Sequence, residues 1–145
     1  MYGAAALKSY RKNSVTTIED PHKIVKLLFE AAIRELGLVK THFDEPRKRG
    51  THLGKAIAIV GELQAGVNLE KGGEAAQFLY GLYGAIIREL SKVNGSERDL
   101  ETIDRSIRYL SKLRRIWVEQ VLEGNTKTTA PSRPEEGEEK LAVAG

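Results

Sequence analysis

The chain has 145 residues, 41% apolar and 30% charged, a length and composition that predict one domain with a modest core. Its 23 Lys and Arg against 20 Asp and Glu leave a net charge of +3, too small a basic excess for a dedicated nucleic-acid binder. No cysteine is present, which excludes a disulfide scaffold, a thiolate metal site, an iron–sulfur cluster and a cysteine nucleophile.

Residues 1–17 lack a full helical stripe and read as a short helix or an extended arm packed on the rest of the chain. The apolar run from Gly3 to Leu7 has no basic residues before it and is too short for a signal peptide. No stretch reaches the ~20 apolar residues of a membrane span, so a soluble, cytoplasmic protein is expected. The main domain is predicted over residues 18–123.

The first helix is predicted over residues 20–44. Asp20 can accept a hydrogen bond from an early backbone N–H, and Pro21 at the first helical position forfeits none. Val25, Leu28, Ala32, Leu36, Val39 and Phe43 follow at spacings of 3 and 4, one stripe of a 3.6-residue period. Ile24, Leu27 and Ala31 widen that stripe, and Pro46 is read as the stop.

A second helix is predicted over residues 51–68, carried by Leu53, Ala56, Val60, Leu63 and Val67. Gly54, Gly61 and Gly66 interrupt it, each costing up to about 1 kcal/mol against Ala in a helix interior. Such a helix needs support from packing or from a close backbone approach. Gly72-Gly73 then breaks the chain. The third helix is predicted over residues 74–93 on Ala75, Leu79, Leu82, Ile86, Leu90 and Val93, and Asn94-Gly95 ends it.

Ser96 and Asp99 resemble a capping box with Asp in place of Glu, opening a fourth helix over residues 96–123. Leu100, Ile103, Ile107, Leu110, Leu113, Trp117 and Val121 carry its stripe. From residue 124 the periodicity disappears and Thr, Pro, Gly, Glu and Lys dominate, so residues 124–145 are expected to be disordered. Four amphipathic helices on short links predict an all-α, antiparallel four-helix bundle.

Catalytic chemistry finds no support. Glu19-x-x-His22 has the spacing used in di-metal bundles, but those need two such pairs and further inward carboxylates. His22, His42 and His52 show no ligand spacing, and no positioned acid, base or nucleophile is recognisable. No enzyme, metal site or cofactor is expected. Gly72-Gly73 could cradle a phosphate, but no strand precedes it, and a tight helix–helix turn is the plainer reading.

Two surface features remain. Arg105, Arg108, Lys112 and Arg115 recur at 3, 4 and 3 opposite the fourth apolar stripe, diluted by Glu101, Asp104 and Glu119. This face is either solvated or a docking site for an acidic protein or, less readily, a nucleic acid. Phe29, Ile33, Ile59, Phe78, Tyr80 and Ile87 lie off or at the edge of their stripes. They either widen the core or line grooves that receive another chain.

Several segments resemble the flagellar secretion chaperones of the FliS family. The arm Met1-Tyr2-Gly3 with Tyr10 and Asn13-Ser14 is similar to that family's opening, and Asp20-Pro21 through Ile33 to its first helix. Ala31 departs from the glycine usual there. Leu69-Glu70-Lys71-Gly72-Gly73-Glu74 resembles the family's turn signature, Leu79-Tyr80 to Tyr83 its third helix, and Leu113-x-x-x-Trp117 the end of its fourth. The likeness covers about residues 1–123, and the tail inherits nothing.

The resemblance implies a four-helix bundle that holds the C-terminal segment of flagellin in the cytosol, prevents premature polymerisation and keeps it competent for flagellar type III secretion. The flagellar export apparatus is a further implied partner, with no nucleic acid and no membrane insertion, and a monomer or weak homodimer as the state. Leu7 and Tyr10 match the family's functional arm positions. Ile59, Phe78, Tyr80 and Ile87 are the candidate groove residues. The alternative is a helical adaptor for another flagellar or acidic protein, or a nucleic acid, through the basic face of the fourth helix.

Overall fold

The computed structural model describes residues 20–126, and these are helical with no strand among them. Four long helices form the body: α1 (Pro21–Thr41), α2 (Pro46–Ala65), α3 (Gly73–Leu90) and α4 (Asp99–Trp117). A π-helical turn, Val118–Leu122, and a final short α5 (Glu123–Thr126) prolong α4.

The helix starts follow from local chemistry. Asp20 Oδ1 accepts from His22 N at 2.9 Å, and Pro21 occupies the first helical position. Pro46 does not stop α1, which has already ended at Thr41. It opens α2 instead, five residues before the predicted start, because the first turn of a helix needs no N–H from that position. Between them His42 Nδ1 donates to Glu45 Oε2 at 2.6 Å, and Arg49 Nη1 donates to the Phe43 carbonyl at 2.7 Å.

In the α2–α3 link, Asn68 Oδ1 accepts from the N–H groups of Glu70 and Lys71, both at 3.1 Å. Gly73 then takes φ +61°, a left-handed conformation that favours glycine. In the α3–α4 link, Gly95 sits at φ +103°. Asp99, buried, turns its Oδ2 back onto three N–H groups: Asn94 at 2.9 Å, Gly95 at 3.1 Å and Ser96 at 3.0 Å. This is the reaching-back half of the predicted box. The Ser96 hydroxyl donates to Asn94 Oδ1 rather than capping Asp99.

The helices pack in a ring in chain order, α1 on α2, α2 on α3, α3 on α4 and α4 on α1. Three contacts fix α1 and α4 as antiparallel. Trp117 Nε1 donates to the His22 carbonyl at 2.8 Å, Arg114 Nε to Glu30 Oε2 at 2.8 Å, and Lys40 Nζ meets Asp104 Oδ1 at 2.6 Å. Inside the ring the rings of Phe29 and Tyr83 meet across the core, centroids 6.4 Å apart. Around them lie Ile24, Leu28, Leu36, Val60, Leu63, Leu90, Ile103 and Leu110, all essentially inaccessible to water.

The α1 stripe is buried as its spacing predicts, and Phe29, placed off that stripe by the sequence, belongs to the core. On α3 the buried stripe is turned slightly, to Ala76, Leu79, Tyr83, Ile86 and Leu90, leaving Leu82 half-exposed at one edge. In α2, a Cβ added at Gly54 or Gly61 would meet nothing within 4 Å. No backbone among the described residues therefore approaches these glycines, so of the two supports expected for this helix it is packing, through the buried Ala56, Val60 and Leu63, that applies.

Candidate functional site

Among neighbouring helices, α3 and α4 come together least closely. Their seam opens into a depression of about 150 Å³, lined by Leu82, Ala85, Ile86 and Glu89 of α3 and by Thr102, Arg105, Ser106 and Tyr109 of α4. Glu89 and Thr102 lie toward the α3–α4 link, and Leu82 and Tyr109 toward the other end. Phe78, Leu82, Ala85 and Glu89 recur at 4, 3 and 4, so Phe78 continues the same stripe one turn beyond the depression. Phe78 is 69% exposed and Tyr109 44%. Together they give the seam an apolar rim that the described residues leave uncovered. Large apolar groups grouped in this way are uncommon on a surface without a partner.

The other candidate residues lie elsewhere. Tyr80 and Ile87, seven residues apart, share the opposite edge of α3. The Tyr80 carbonyl there accepts from Gln64 Nε2 of α2 at 3.1 Å, and a Cβ on Gly84 would come within 3.1 Å of the same nitrogen. Tyr80 is exposed, while Ile87 packs partly against the core. Ile59 stands two turns after His52, whose Nδ1 donates to Glu35 Oε1 of α1 at 2.9 Å, so it faces the α1 side of α2. Four residues grouped by the sequence thus occupy three separate edges. Leu7 and Tyr10 lie outside the described residues, as does Glu19.

Tyr109 has no counterpart among the sequence candidates. It stands beside Arg108, off the apolar stripe, and only the closure of the ring brings it opposite Leu82. Also unforeseen is the stacking of His42 on His52, ring centroids 5.6 Å apart and 17° between planes. Each ring donates to its own carboxylate, Glu45 or Glu35. The bond from His42, helped by Lys48, holds the exposed Glu45 carboxyl below its ordinary value of 4.5. Among the described residues no three His, Cys, Asp or Glu gather as metal ligands, and no helix is long and apolar enough to cross a membrane.

The basic residues of α4 form a separate feature on its outer face. Arg108, Tyr109, Ser111, Lys112 and Arg115, with Ile107, line one shallow concavity. Arg105 lines the seam depression instead, and pairs with Glu101 at 3.5 Å.

The sequence profile of one family, described as Flagellar protein FliS, matches residues 3–124. The Flagellar secretion chaperone FliS of Salmonella typhimurium is 32% identical over 123 residues, covering 81% of this chain and 90% of that protein. The Flagellar secretion chaperone FliSB of Pseudomonas aeruginosa is 29% identical over 122 residues, covering 81% and 96%. The Flagellar secretion chaperone FliS of Campylobacter jejuni is 31% identical over 121 residues, covering 82% and 93%. The match runs through all four helices and the turn at Gly72-Gly73, and on it the chain belongs to the FliS family.

Proposed function

We propose that this chain is a cytosolic export chaperone of flagellar assembly. In this reading it binds the C-terminal segment of flagellin, blocks its premature polymerisation and keeps it ready for secretion. Family membership supports the chaperone role, and the same membership argues for a binding protein rather than an enzyme. The observation that carries the binding reading is the uncovered apolar rim of the α3–α4 seam at Phe78 and Tyr109.

The chemistry of such a client suits the surface. A flexible segment loses conformational entropy on docking, so it needs a long apolar track for useful affinity. Phe78, Leu82 and Tyr109 supply the start of that track. Tyr80 with Ile87, and Ile59 on the far edge of α2, are further strips for a client that wraps around the bundle. Leu7 and Tyr10 of the arm are proposed to compete for, or join, the same apolar surface. No nucleotide or metal is needed for holding of this kind.

The test is calorimetric titration of the full chain with the C-terminal segment of flagellin from the same organism. Saturable binding with a negative heat-capacity change is expected, since apolar surface is buried. Truncating Phe78→Ala removes a ring worth about 1.5–3 kcal/mol when buried, a loss of roughly 10- to 100-fold in affinity. Absence of binding would refute flagellin as the client. Binding unchanged in Phe78→Ala and Tyr109→Ala would move the site off this seam, and a Leu7→Ala/Tyr10→Ala variant tests the arm in the same way.

A further inference from the structure

The outer face of α4 carries a charge pattern that client binding at the seam leaves unused. Arg108, Lys112 and Arg115 follow at 4 and 3, on one stripe turned away from the core. They are exposed, line a common concavity with Ser111 and Tyr109, and make no ion pair with another described residue. The acidic groups nearby sit at the margins. Glu101 pairs with Arg105, Asp104 turns to Lys40 of α1, and Glu119 lies one turn beyond Arg115.

The sequence supplies a complementary segment close by. Glu135-Glu136-Gly137-Glu138-Glu139 places four carboxylates within five residues, with no basic residue among them. We propose that this acidic segment docks on the outer face of α4, over Arg108, Lys112 and Arg115. The reach is sufficient. Arg115 lies 11 residues before Thr126, about 16 Å along the helix, and Arg108 18 residues before it, about 27 Å. The nine residues from Lys127 to Glu135 span up to about 30 Å when extended, so the first carboxylate can arrive anywhere on the stripe.

Tethering makes the tail a better occupant than an acidic molecule in solution. A tether of this length holds the carboxylates at an effective concentration on the order of millimolar. Individual exposed ion pairs contribute little, roughly 0–1 kcal/mol each, and that weakness matters less when association is intramolecular. The docked tail would lie beside Tyr109, which borders both this concavity and the α3–α4 seam.

The chain has no cysteine, so a single one can carry a spin label. With the label at Ser111→Cys in the full chain, paramagnetic broadening of the amides of residues 135–141 is expected. It should fall at least about threefold as salt rises from about 20 mM to about 500 mM and the screening length shortens. The triple variant R108E/K112E/R115E should abolish it, and Glu→Lys changes at the four tail carboxylates should restore it in that background. A label at the exposed Ala58→Cys, on α2 and diagonally across the ring from α4, should not produce it.

The salt series on the parent chain needs no charge variant and stands even if the triple variant fails to fold. Equal broadening from both labels, or none, or broadening indifferent to salt would overturn the proposal. Broadening that grows with protein concentration would assign the face to a second copy's tail instead. A free tail, with a labelled oligonucleotide binding the face at low salt, would assign it to nucleic acid.

Discussion

Replacing Asp99 by Ala strips the α3–α4 link of its organising acceptor. One carboxylate oxygen takes three backbone N–H groups at 2.9, 3.1 and 3.0 Å, from a side chain only 9% exposed. A hydrogen bond to a charged group contributes about 1.5–3 kcal/mol, and three at full value would give about 4.5–9 kcal/mol. The link is partly open to solvent, so water takes over part of what the N–H groups lose, which brings the expected loss to about 2–3 kcal/mol. The position is also the first residue of α4, where a carboxylate gains about 0.3–1 kcal/mol from the helix dipole. The total, about 3 kcal/mol, is a large share of the 5–15 kcal/mol typical of a domain. Asp99→Asn keeps a neutral acceptor of the same shape and should lose about 1–1.5 kcal/mol. Urea unfolding measures both, followed by helical circular dichroism and by the fluorescence of Trp117, the single tryptophan. A loss under about 0.5 kcal/mol in Asp99→Ala would refute the assignment of this carboxylate as the clamp of the link.

Two further outcomes are expected. Gly54→Ala with Gly61→Ala places methyl groups into open space on α2 and should raise stability by about 1–2 kcal/mol. A lower midpoint in urea would show that some close contact at these glycines has been missed, and unchanged stability with weakened client binding would show that a client uses the bare backbone. The Glu45 carboxyl is held below 4.5 in the folded chain, so its contribution is complete above that value and is lost as pH falls through the depressed one. Glu45→Gln should flatten that acid limb of the stability–pH profile, and a limb of unchanged steepness would place the effect on another carboxylate.

The fold was readable wherever one residue carries one signal. Asp20-Pro21 starts α1 because cap and proline agree, and the α1 stripe needs no tertiary information. Pro46 was ambiguous by nature, since a proline both forbids a helix before it and favours one after it. The stretch from Arg47 to Gly50, three basic residues and a glycine with no apolar side chain, leaves no periodicity to decide which applies. On α3 the apolar residues are so dense that Ala75/Leu82 and Ala76/Tyr83 both satisfy helical spacing. Only the meeting of Tyr83 with Phe29 decides between them. Leu122 fell outside the α4 stripe because the π turn brings residue i+5 rather than i+4 under Trp117, so that both Val121 and Leu122 pack on the core. The site was less legible than the fold. Exposure of Phe78 and Tyr109 depends on how far α3 stands from α4, which no local pattern encodes.

The unequal seams of the ring bear on how the molecule moves. The α1–α4 boundary is pinned along its length, by the Trp117 indole at one end, Arg114–Glu30 within it and Lys40–Asp104 toward the other. On the other side of α4, α3 and α4 meet least closely and are joined by a link that one carboxylate organises. Partial openings begin where buried contact is sparse, at free energies below that of global unfolding. Amides on the facing sides of α3 and α4 should therefore exchange with solvent before those of α1, and a bound segment wedged into the seam should slow that exchange. The bundle is in this sense hinged about α1, with its compliance concentrated at the face that a client would enter.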